Sequence, residues 1–141
     1  MGIKNWLCLI DLTQIDMVTY QPYLADYGLA CTREQTCVGT AVVMGTAAYS
    51  SPEDFYCVYS TKSDIWALGC IFYELMAEKM IWKEVNRKPM AIQRHFFFKK
   101  GPNVSHLISS IKGVVGKCLN FDPEERPDDA TIAEELAKIE L

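Results

Sequence analysis

The sequence predicts a mainly α-helical domain with a short β-hairpin near its N-terminus. Three observations carry that fold class. From Ile65 to Tyr73 no side chain is polar except a tyrosine hydroxyl, so a helix there is apolar on every face and belongs in a core. From Ser105 to Leu119, apolar residues recur at steps of three and four. After Pro127, Asp128 and Asp129 stand where a helix start wants acids, with Ile132, Leu136 and Ile139 on one face beyond them.

Taken in order, residues 1–24 hold short apolar pieces, Trp6 to Ile10, Met17 to Tyr20 and Tyr23 to Ala25. Their β-branched and aromatic content, broken by Gln21-Pro22, predicts two short strands and a turn. Residues 28–47 are rich in Gly, Thr and small side chains without helical period, and predict a long loop. Ser51-Pro52-Glu53-Asp54 predicts a short helix with Pro52 at its first position. In the central helix Ser63 or Asp64 is the expected N-cap, and Asp64, Glu74, Glu78 and Lys79 close off a run too short for a membrane span. The large apolar side chains Ile65, Trp66, Leu68, Ile71, Phe72, Leu75 and Met76 are expected inside. Lys83 to Pro102 is polar, basic and expected to be irregular, and the run Phe96-Phe97-Phe98 within it has no place in the scheme. Gly113 and Gly116 weaken the helix expected over 105–119.

Composition narrows the function classes. Half of the 141 residues are hydrophobic and the net charge is −4, which offers nothing for nucleic acid or an anionic membrane surface to be drawn to. Six cysteines, Cys8, Cys31, Cys37, Cys57, Cys70 and Cys118, contain no Cys-x-x-Cys pair, and Cys70 lies within the apolar run. Together with His95 and His106 they form no zinc-ligand pattern, so reduced cysteines in a cytoplasmic or nuclear protein are expected. No secretory segment is visible, and the second-position glycine lacks the Ser or Thr of a myristoylation signal.

Four motifs stand in a telling order: Asp26-Tyr27-Gly28; Gly45-Thr46-x-x-Tyr49-x-Ser51-Pro52-Glu53; Ser63-Asp64-Ile65-Trp66-x-x-Gly69; and Asp122-Pro123-x-x-Arg126-Pro127. Each is weak alone. In this order and at these spacings they resemble the C-terminal lobe of eukaryotic protein kinases of the serine/threonine type, over about residues 9–140. The resemblance implies a catalytic-loop remnant at 9–18, an activation segment at 26–53 and a helical subdomain at 54–141. It implies that Asp26, before the freely turning Gly28, matches the carboxylate that holds Mg²⁺ on the phosphates of ATP. A turn aspartate before a glycine would look the same in any fold. Glu53 and Arg126 match the family's buried ion pair at the end of the activation segment, Asp64 the aspartate that holds the catalytic-loop backbone, and Thr46 a residue beside the substrate hydroxyl. Thr36 and Thr40 are candidate phosphorylation sites, although any exposed Thr-containing loop would read alike.

The departures matter more. Where the family has His-Arg-Asp-Leu-Lys-x-x-Asn, this chain reads Leu9-Ile10-Asp11-Leu12-Thr13-Gln14-Ile15-Asp16. Asp11 matches the catalytic base and Asp16 the second metal ligand, but the cations are gone. The glycine-rich loop, strand lysine and helix glutamate of the upper lobe have no counterpart in the 141 residues. Phosphoryl transfer rests on positioning and charge stabilisation. The expectation is a C-lobe alone, catalytically inactive, with weak or absent Mg²⁺ and ATP binding. Protein substrates or protein partners are expected, with no nucleic acid and no membrane. A pseudokinase-type binding module and a decayed fragment are the rival readings.

Overall fold

The computed structural model describes residues 18–19 and 46–139. Val18 and Thr19 lie in a turn, and the rest of the expected hairpin falls outside the described residues. Between 46 and 139 there is no strand. Four α-helices, α1 (Thr61–Ala77), α2 (Pro89–Phe97), α3 (Ser109–Cys118) and α4 (Asp129–Leu136), are joined by 3-10 turns at Ala47–Tyr49, Glu53–Tyr56, Lys83–Val85 and Pro123–Glu125. No helix among the described residues is long and apolar enough to cross a membrane.

Helix α1 starts earlier than the sequence suggests. Ser60, in extended backbone at φ −149°, is the cap: its Oγ accepts from the Lys62 amide at 3.1 Å. Ser63 is already helical and returns the favour, its Oγ accepting from the Ser60 amide at 3.3 Å. The expected caps, Ser63 and Asp64, sit within the first turn instead. Ile65, Trp66, Ala67, Gly69, Cys70 and Tyr73 are buried, but Leu75 is 53% and Met76 37% exposed. The helix therefore emerges from the core over its last turn, and the expected burial of Leu75 and Met76 is corrected. Its crossing with α3 is close: a Cβ added at Gly69 would stand 2.7 Å from Cys118 Cβ and 3.1 Å from Leu119 Cδ2. Only hydrogen fits there.

The expected irregular stretch 83–102 contains α2. Pro89 occupies the first turn, where a missing N–H costs nothing, and Ile92 and Phe96 lie one above the other as the buried stripe. Phe96 is the hub of the core. Its ring meets Phe55, Trp66, Trp82 and Phe121 edge-on, with centroids 5.4–5.8 Å away. Two further corrections are local: the helix over 105–119 is shorter, with Ile108 at its N-cap, and Pro52 is the N-cap of a 3-10 turn rather than its first residue. At α4, Asp128 accepts from the Thr131 amide at 2.8 Å, and Ile132 is buried.

Candidate functional site

Residues 46–57 run against the helices as two 3-10 turns and are fastened to them at two points. The first is Arg126, delivered by the Pro123–Glu125 turn. Its side chain is wholly buried, and that of Glu53 is 13% exposed. Arg126 Nη1 donates to Glu53 Oε1 at 2.6 Å and Nη2 to Oε2 at 2.8 Å, a two-pronged fork. Nη1 also donates to the Lys62 carbonyl at 2.8 Å and Nε to the Asn120 carbonyl at 2.7 Å. The guanidinium carbon lies 5.1 Å from the Trp66 ring centroid. Four donor contacts and an aromatic face compensate a cation that would otherwise be stranded in the core. Lys62 Nζ donates in turn to the carbonyls of Arg126 and Pro127, which holds the arginine's own backbone.

The second point is Glu74, near the end of α1. Its Oε2 accepts from the Tyr49 hydroxyl at 2.8 Å, and its Oε1 from the Ile81 amide at 2.8 Å. Arg87 Nη1 stands 3.3 Å from the same Oε1, and the guanidinium covers the Tyr49 ring at 4.9 Å. Burial raises the Tyr49 hydroxyl above its ordinary pKa, so it remains a donor to the carboxylate. From sequence alone Glu74 reads only as a helix-closing charge. A glutamate set between Tyr73 and Leu75 in an apolar run was the available signal, since a half-buried carboxylate needs partners.

Next to Glu53 in the chain is Asp54, 5% exposed. Its Oδ2 accepts from the Ser51 amide at 2.7 Å, while Oδ1 has no partner among the described residues. Burial pushes its pKa up.

Of the residues singled out from sequence, Glu53 and Arg126 are in contact. Asp64 is half-buried in the first turn of α1. Thr46 is exposed at the head of the first 3-10 turn, its carbonyl accepting from the Tyr49 amide at 2.9 Å, and its side chain caps nothing. Asp11, Asp16, Asp26, Gly28, Thr36 and Thr40 lie outside the described residues. Among the described residues no group of three His, Cys, Asp or Glu is placed to hold a metal ion. Nor do the described cysteines offer a nucleophile at the core: burial pushes the Cys118 thiol to about 12 and the Cys70 thiol well above its ordinary value.

A buried arginine fork between a Ser-Pro-Glu turn and an Asp-Pro-x-x-Arg turn sits over a helix that carries Ser63-Asp64-Ile65-Trp66 in its first two turns. Residues 9–138 match the family model described as protein kinase domain. The chain belongs to the protein kinase family. Among its relatives is the G2-specific protein kinase nimA of Emericella nidulans, 34% identical over 112 residues, covering 77% of this chain and 16% of that protein. Serine/threonine-protein kinase Nek9 of Xenopus laevis is 34% identical over 127 residues, 89% of this chain and 13% of the relative. Serine/threonine-protein kinase Nek2 of Mus musculus is 33% identical over 113 residues, 79% and 25% respectively. The chain thus spans a quarter or less of the length of each.

Proposed function

We propose that this chain is a serine/threonine-type protein kinase homologue that, as a 141-residue polypeptide, does not transfer phosphate. The observation that carries the reading is a contrast within one chain. The fork at Glu53 and Arg126 is complete to four donor contacts, whereas Leu9, Ile10 and Thr13 stand where the family keeps His, Arg and Lys. Without those cations nothing from that loop offsets the charge of a moving phosphoryl group. ATP and Mg²⁺ are the family's cofactors. Asp26 and Asp16 are the residues of this chain that match their ligands.

The retained fastening beside an eroded loop favours a second reading, a pseudokinase-type module that binds proteins through its helical lobe. Structural positions outlast catalytic ones when binding alone is selected. Both readings share one test. The purified chain is titrated with Mg²⁺-ATP in a thermal-shift assay and incubated with labelled ATP and a generic protein substrate. No shift and no incorporation are expected. A shift that disappears in Asp26→Ala would overturn the nucleotide part, and label transfer that depends on Asp11 would overturn the inactivity.

A further inference from the structure

The segment 83–100 differs in charge from the rest of the molecule. It holds six cations, Lys83, Arg87, Lys88, Arg94, Lys99 and Lys100, against one acid, Glu84. The whole chain has fourteen cations and eighteen acids, so the remainder carries eight cations against seventeen acids. Arg87 is engaged by Glu74, but the other five cations are exposed.

Helix α2 also has two apolar sides. The inner one, Ile92 and Phe96, fills the core. The outer one is covered by no other element among the described residues: Met90 is 84%, Phe97 74% and Phe98 57% exposed, and the exposed Arg94 shares the side of Met90 and Phe97 by helical period. The Phe97 and Phe98 rings meet edge-on at 5.3 Å. The cationic end is not a loose tail. Lys99 turns at φ 50°, its amide donating to the Phe96 carbonyl at 2.8 Å and the Lys100 amide to the His95 carbonyl at 2.9 Å. A helix C-terminus welcomes cations, which accounts for lysines there but not for two phenylalanines left in water.

We propose that the outer face of α2, made by Met90, Arg94, Phe97 and Phe98 with Lys99 and Lys100, docks an acidic, amphipathic segment of a partner protein. Charge complementarity fixes the sign of the occupant, and the exposed rings require that it also bring apolar anchors. Among the described residues, the acidic region from Asp122 through Glu135 exposes carboxylates but none of the large exposed hydrophobic side chains, so that region of a second copy does not meet both needs. The inference is independent of phosphotransfer.

The test uses the full chain and a fluorescent 15-residue peptide with Phe and Leu at helical spacing between glutamates. Two controls accompany it: the same peptide with Gln for every Glu, and one with Ala for every Phe and Leu. Binding of the first peptide alone is expected, with amide shifts confined to residues 90–100 and weakening as salt rises. Phe97→Ala with Phe98→Ala, and separately Lys99→Glu with Lys100→Glu, should each weaken it by roughly tenfold or more. Because these side chains are exposed, both variants should melt like the parent, and their melting curves are recorded alongside. No binding of the acidic apolar peptide, equal binding of the Gln or Ala control, or indifference to either variant overturns the proposal. So does tighter binding of an oligo-dT strand, or self-association in sedimentation that the Phe variant abolishes.

Discussion

Two arginine–glutamate pairs hold the same segment, and they are built differently. Arg126 and Glu53 meet at 2.6 and 2.8 Å with the arginine wholly out of water. Arg87 and Glu74 meet at 3.3 Å with about a fifth of each side chain exposed. In the first, nearly every donor of the guanidinium is spent inside the protein, so losing one partner strands the other. In the second, water can take up a lost contact, and the carboxylate is shared with a tyrosine hydroxyl and a backbone amide. The first pair is a fastening; the second is an adjustable brace. The fork takes hold one position after Pro52, at Glu53, and the brace three positions before it, at Tyr49, yet an equal deletion in each should have unequal consequences.

The largest effect is expected at the fork. Arg126→Ala should destabilise the lobe by about 3–5 kcal/mol, because Glu53 is left without its counter-charge and two carbonyls lose their donors. Equilibrium urea unfolding would measure it. Replacing both partners by apolar residues, Glu53→Leu with Arg126→Met, should recover much of that loss, since no charge then remains buried. At the brace, Glu74→Gln should cost about 1–2 kcal/mol and Tyr49→Phe about 1 kcal/mol, with added salt narrowing the gap between Glu74→Gln and the parent. An equal cost at the two sites would erase the distinction between them.

The smallest effect sharpens the comparison through pH. Asp54 adjoins the fork's Glu53 in the chain, and its burial raises the folded-state pKa above the ordinary 3.8. The folded state therefore holds that proton more tightly than the unfolded chain does. Its contribution is favourable below 3.8 and is lost as pH rises through the raised folded-state value. Asp54→Asn keeps an oxygen for the Ser51 amide and removes the buried charge. The variant is expected to gain on the order of 1 kcal/mol over the parent at pH 7 and nothing at pH 3. Melting temperatures across that range check it. A variant weaker than the parent at pH 7 would mean that hydrogen bonds to the carboxylate, those of the Ser51 and Ser63 hydroxyls included, outweigh the cost of burying it.

How much of this was legible in the sequence follows from what each element displays. The apolar run of α1 and the three-four spacing before Leu119 are signals of burial, and burial is what made helices there. Glu53 and Arg126 were legible through the order of motifs, not through chemistry, since two charges seventy-three positions apart carry no local sign of contact. Helix α2 was missed because its outer side mixes Met90, Arg94 and Phe97, which hides the two-residue inner stripe of Ile92 and Phe96. Periodicity cannot tell which of three successive phenylalanines is inside; only the rings of Phe55, Trp66, Trp82 and Phe121 around Phe96 decide it. Glu74 needed Arg87 and Tyr49 brought to it by folding. The cap of α1 was misplaced by three residues because Ser60 and Ser63 both look the part and in fact share it.

The most direct measurement is a pair of double-mutant cycles on unfolding free energy, Glu53→Ala with Arg126→Ala and Glu74→Ala with Arg87→Ala. The account expects a coupling of about 3 kcal/mol or more for the buried fork and about 1 kcal/mol or less for the brace. A fork coupling below about 1 kcal/mol, or one no larger than the brace's, would contradict the claim that Glu53 and Arg126 lock this segment to the lobe.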